Sequence, residues 1–133
     1  MPNRVPWDSD YSTGNEVLDR QHRNILAQCN SLADFVAADQ HDDPQFHKLF
    51  NDLMTLAREH FATEATLLAR CGAAVLDDHE NECSEFEYLA ADIVTTDNFE
   101  KVELQRFLAL WWVGHIMGTV KAYRAFLKSP PTA

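Results

Sequence analysis

The chain has 133 residues, 46% of them apolar, and a formal net charge of -10. That length suits one domain with a single core, and the charge repels phosphate backbones and anionic lipid, which argues against nucleic acid or a membrane surface as partner and for a solvated acidic exterior. No apolar run approaches the ~20 residues needed to span a bilayer, and no charged start followed by an apolar stretch marks a signal peptide.

Residues 1–14, MPNRVPWDSDYSTG, read as an irregular arm that Trp7 and Tyr11 can pin to the body by burying their rings. A helix is expected from about Asn15 to Ala37, with Thr13 or Asn15 capping its start. Its apolar stripe is Leu18, His22, Ile25, Cys29, Leu32 and Val36. The acidic turn ADQHDD ends it. A second helix starts at Asp43, with Pro44 just inside, where the missing N–H costs nothing. Its stripe runs Phe46, Phe50, Leu53, Ala57, His60, Glu64, Leu67, Cys71, and Gly72 ends it. A third is expected from near Asp77, with Glu80 completing a capping box, on the stripe Leu76, His79, Cys83, Phe86, Ala90, Ile93. The fourth is expected from near Asp97 on the stripe Leu104, Leu108, Trp111, His115, Gly118, Ala122. The tail, residues 129–133, carries Pro130 and Pro131 and cannot continue a helix. The expected fold is all-α: an antiparallel up-down-up-down four-helix bundle over residues 15–128 with an irregular N-terminal arm.

Each stripe carries one histidine: His22, His60, His79 and His115. The second also carries Glu64, one turn after His60, so both point to one face. A single histidine on an apolar face is usually a satisfied core residue. Four, one per helix, with a carboxylate that is costly to bury alone, point to a metal site. Helices one and three run up while two and four run down, so all four imidazoles meet at one level. Nitrogen and oxygen donors suit iron, zinc, copper or manganese. One four-coordinate zinc is an option, but five donors including a carboxylate that can bridge fit two metals better. His41 and His47 lie off the stripes and read as solvated.

These residues resemble the hemerythrins, most closely the bacterial hemerythrin-like domains. The resemblance runs from Trp7 to about Phe126. It is carried by WDSDYSTGNEVLDRQH (Trp7, Tyr11, Gly14, Leu18, Asp19, Gln21, His22), by HFATEATLL with His60 and Glu64, by His79 as the first histidine of H-x-x-x-H, and by WWVGHIMGTVKAY with His115. It implies a cofactor of two non-haem iron ions with an oxo or hydroxo bridge. His22 and His60 would hold one iron, His79 and His115 the other, and Glu64 would bridge. Two family ligands are missing: Cys83 stands at the second histidine of H-x-x-x-H, and Val120 stands at the bridging aspartate. Solvent or exogenous ligands would fill the open positions, or Cys83 would bind as a thiolate; the bland reading of Cys83 is a small buried hydrophobe. Losing a carboxylate should raise the reduction potential, and a wetter shell should favour oxidation over reversible O2 release.

The expected function is an O2- or redox-sensing regulatory domain cycling between diferrous and diferric states. Its partners would be O2 or other small ligands and a C-terminal signalling domain, such as a diguanylate cyclase or chemotaxis receptor, beyond this sequence. The alternatives are a free-standing O2 carrier or store and a di-iron oxidase or peroxidase. Ferritin-like oxidases show Glu-x-x-His pairs, and the residues three before the four histidines are Asp19, Ala57, Leu76 and Trp112. No enzymatic activity is therefore expected of this chain. An odd cysteine count (Cys29, Cys71, Cys83) without framework spacing places it in a reducing cytoplasm.

Overall fold

A computed structural model of the chain describes residues 4–38, 43–95 and 100–128. It contains four long helices, α1 (Glu16–Ala37), α2 (Asp43–Leu68), α3 (Ala73–Thr95) and α4 (Lys101–Lys128), and no strand among the described residues. α1 packs against α2 and α4, and α3 packs against the same two, so the helices close a four-membered ring. This is the four-helix bundle that the apolar stripes predict.

Helix α1 starts where expected because Asn15, in extended backbone, accepts a hydrogen bond from Leu18 N–H at 3.1 Å. The arm before it is irregular apart from a single turn, Ser9–Tyr11. Trp7 and Tyr11 pack edge to face at 5.6 Å against the core, and the Arg23 guanidinium lies 4.6 Å over the Trp7 ring. Asp19 ties the arm down: it accepts from Ser12 Oγ at 2.7 Å and from Thr13 N–H and Oγ1 at 2.8 Å each. Burial alone would raise its pKa, but these donors outweigh burial and hold the carboxyl below its ordinary 3.8.

Three sequence expectations shift. α3 begins at Ala73, not near Asp77, so Asp77 and Glu80 form no capping box. Gly72, at φ +109°, closes the short turn after α2, and its carbonyl at once accepts from Leu76 N–H at 3.2 Å. There is no room for a loop in which Asp77 could cap. The buried face of α4 is also rotated from the stripe. Leu104, Leu108, Trp112, Ile116 and Val120 are buried, whereas Trp111 is half-buried and Gly118 and Ala122 are exposed. On α2 the buried residue of the last turn is Leu68, and Leu67 is half-buried. The turn around His41, the expected start of α4 at Asp97 and the tail 129–133 lie outside the described residues. Among the described residues, no helix is long and apolar enough to cross a membrane.

Helix α3 is the least buried of the four. It contributes Phe86, Ala90 and His79 to the interior, and Phe86 anchors it, 4.4 Å from the Trp111 ring and 5.4 Å from Trp112. An aromatic anchor of this kind is worth several aliphatic contacts, so α3 is held chiefly at its middle.

Candidate metal centre

The bundle brings His22 (α1), His60 and Glu64 (α2), His79 (α3) and His115 (α4) to one level of the core. All five are buried, and His22, His60 and Glu64 are 0% exposed. Donor atoms of His22, His60, Glu64 and His115 all lie within 4.8 Å of one another. His79 joins them through Nε2, 2.8 Å from Glu64 Oε1.

The Glu64 carboxylate is divided between two histidine pairs. Oε2 faces His60 Nε2 at 3.0 Å and His22 Nε2 at 3.9 Å. Oε1 faces His79 Nε2 at 2.8 Å and His115 Nε2 at 3.1 Å. His22 Nε2 and His60 Nε2 are 3.0 Å apart. Several of these approaches are not hydrogen bonds: Glu64 Oε2, His115 Nε2 and His22 Nδ1 are buried without a hydrogen-bond partner. Buried polar atoms are nearly always satisfied, so converging donors with no partner are the pattern a bound cation would resolve.

Polar groups behind the imidazoles set their tautomers. Thr63 Oγ1 donates to the Glu59 carbonyl at 3.1 Å and accepts from Gln21 Nε2 at 3.0 Å. Gln21 therefore turns its oxygen to His60 Nδ1, which donates to it at 2.9 Å. A neutral His60 so held keeps a lone pair on Nε2, facing Glu64. On the opposite side His115 Nδ1 donates to Glu82 Oε1, which leaves His115 Nε2 facing Glu64. Hydrogen bonds of this kind orient metal-binding histidines and raise their basicity.

Charge follows burial and these contacts. Burial, then His60, pushes His22 down to about 3. Burial also lowers His60, against the pull of Glu64. Burial would raise Glu64, but the facing imidazoles of His115, His60 and His79 outweigh it and hold the carboxyl well below the usual range. Burial would lower His115, but Glu64 and Glu82 outweigh it and raise it to about 9. In the metal-free cluster the Glu64 carboxylate thus faces the His115 imidazolium, with His22 and His60 neutral.

The structure brings together all five residues expected at the site. Cys83 is half-buried, with Sγ 3.6 Å from His79 Nε2. Burial, followed by the nearby carboxylates of Glu64 and Glu82, pushes its thiol pKa up, so without a metal it is a thiol. Val120 is buried in the apolar core and offers no donor. Trp111 stacks on the His115 ring at 5.1 Å and 10°, while Trp112 packs on Phe61 at 5.4 Å and 15°. His47 is exposed. Glu82 and Thr63 are the site residues that the sequence reading missed. Glu82 sits off the apolar stripe and meets His115 only across the α3–α4 interface, a pairing that no spacing within one helix reveals.

Comparison with known proteins agrees with this arrangement. Residues 13–123 match the family model "Hemerythrin HHE cation binding domain". The chain is 27% identical to a hemerythrin-like protein of Naegleria gruberi, over 96% of this chain and 97% of that protein. It is 27% identical to a bacteriohemerythrin of Stenotrophomonas maltophilia, over 92% of this chain and 81% of that one. A Pseudomonas aeruginosa bacteriohemerythrin is 28% identical over 88% of this chain and 77% of its own. With four helices closing on one histidine–carboxylate cluster and a family match across most of its length, the chain belongs to the hemerythrin family of cation-binding domains.

Proposed function

We propose that this chain is a non-haem di-iron domain that binds or reacts with O2, cycles between diferrous and diferric states, and serves as an O2- or redox-sensing regulatory domain. The observation that supports it most is the split of the Glu64 carboxylate, one oxygen toward His22 and His60, the other toward His79 and His115. His22 and His60 would hold one iron, His79 and His115 the second, with Glu64 spanning them. His22 Nε2 and His60 Nε2 are 3.0 Å apart, close enough for both to serve one ion. The iron pair, when bound, supplies the redox change and O2 reactivity that no side chain here possesses.

The chain's own residues set how that centre behaves. Gln21 and Glu82 hold protons on His60 Nδ1 and His115 Nδ1, which leaves His60 Nε2 free and turns His115 Nε2 to the metals once it has given up its proton. Val120 withholds a second bridging carboxylate, which should raise the reduction potential by leaving the ferric pair less compensated. Cys83 is near enough to His79 to serve either as a thiolate donor or as packing. A sensor also needs an element that moves. α3, with few buried residues, carries His79 against the rest of the cluster, and a shift there would pass to α4 and onward to an output domain or partner. The cytoplasm is the proposed location.

The alternative is a free-standing O2 carrier, in which the same centre would bind O2 reversibly. Anaerobic reduction of the iron-loaded protein followed by O2 separates the two. Bridged-ferric absorption that bleaches and then returns directly supports the sensor. A stable oxygenated spectrum that vanishes when O2 is withdrawn supports the carrier.

A further inference from the structure

We propose that the exogenous ligand of this centre enters through the cleft between α3 and α4 and binds on the His79–His115 side. The proposal rests on the di-iron reading above and specifies where that centre binds.

The two halves of the cluster differ in access. His22 and His60 are 0% exposed, and neither lines the α3–α4 cleft or the cavity between α2 and α3. A cavity of about 500 Å³ opens between α3 and α4, with both His79 and His115 in its wall. His115 is 94% buried there (6% exposed), and its Nε2 has no hydrogen-bond partner. The α4 wall carries two helical glycines one turn apart, Gly114 and Gly118. Glycine weakens a helix, and close helix packing does not explain either one: a Cβ at each position would meet nothing within 4 Å. Their effect is to keep the cleft open beside His115. A smaller cavity of about 350 Å³ between α2 and α3 touches His79 and Cys83 but not His115.

The lining selects by charge. Among the described residues, the wall holds Asp78 and Glu82 and no lysine or arginine. On a chain of formal net charge -10, these two carboxylates slow the approach of anions such as azide relative to uncharged diatomics, whatever attraction the metals exert on an anion once it is inside. Leu68, Leu110 and Trp111 give the cleft apolar wall beside these carboxylates.

The test uses the full chain, with nitric oxide as the uncharged probe and azide as the anion. In iron-loaded protein, Gly114→Leu and Gly118→Leu should each slow nitric oxide association several-fold, while Ala62→Leu, in the α2–α3 cavity, should leave it unchanged. Asp78→Asn should speed azide association about threefold by removing one charge from the cleft wall. In metal-free protein, hydroxyl-radical footprinting with mass-spectrometric readout, which depends on access and not on protonation, should label His115 and His79 before His22 and His60, and either glycine variant should protect His115. Two glycine variants that load iron fully yet bind nitric oxide at the parent rate would overturn the proposal. So would slowing by Ala62→Leu alone, or labelling of His22 and His60 first. A chain that takes up no iron would overturn the di-iron reading instead, and the labelling order would still judge the cleft.

Discussion

Replacing Glu64 with glutamine keeps the side chain's size and removes the charge at the centre of the cluster. In the metal-free protein the cost can be worked from His115, which is raised from 6.5 to about 9 by Glu64 and Glu82 against its burial. A rise from 6.5 to about 9 corresponds to about 3 kcal/mol, shared between the two carboxylates. About 2 kcal/mol is expected to be lost at pH 7 in Glu64→Gln, below the ~3–5 kcal/mol of a stranded buried charge, because His115 can release its proton. The sign follows from the raised folded value. The contribution is complete below pH 6.5 and fades as pH rises through about 9, so parent and variant should converge at alkaline pH. Iron adds a second difference. Free ferrous ion at a hundred times its Kd should stabilise the parent by about 2.7 kcal/mol, and the variant hardly at all. Anaerobic urea unfolding followed by circular dichroism, with and without ferrous ion at pH 7 and 9, reads both effects. An equal gain from iron in parent and variant would refute the role given to Glu64.

Gln21→Leu removes the acceptor that holds His60 in its tautomer, and iron affinity should fall about 10- to 100-fold with the helical circular dichroism signal unchanged; undiminished affinity in an iron titration would show that Gln21 does not orient His60. Asp19→Ala strands three donors from Ser12 and Thr13 and should cost about 2–3 kcal/mol by urea unfolding at pH 7. Because the Asp19 pKa is held below its ordinary 3.8, its contribution is present above that pH and is lost as pH falls through the depressed value, so parent and variant should come together in acid. Val120→Asp puts a carboxyl group into a core position; it should destabilise the metal-free protein by several kcal/mol yet lower the reduction potential of the iron-loaded one, and a potential that does not move would mean that residue 120 is out of reach of the metals.

The bundle was legible because its interior is written as apolar residues at helical spacing, and the cluster because polar donors interrupt each stripe once. Reading His22, His60, His79 and His115 as a common level required only that neighbouring helices alternate in direction. What the stripes could not show depends on contacts between helices. Glu82 looks like a solvated residue on α3 until α4 brings His115 against it. The rotation of α4 was missed because Gly118 and Ala122 continue the helical spacing of small and apolar residues, although they face an open cleft instead of the core. α3 begins earlier than its acidic residues suggest because Gly72, at positive φ, reverses the chain within a single turn and starts the next helix directly.

An anaerobic titration of the metal-free protein with ferrous ion, followed by metal analysis after desalting, tests the central claim most directly. Two irons retained per chain, and none in a His60→Ala variant, is the result expected from the division of Glu64 between two histidine pairs. Retention of one iron or none by the parent, or of a full iron load by His60→Ala, would contradict it.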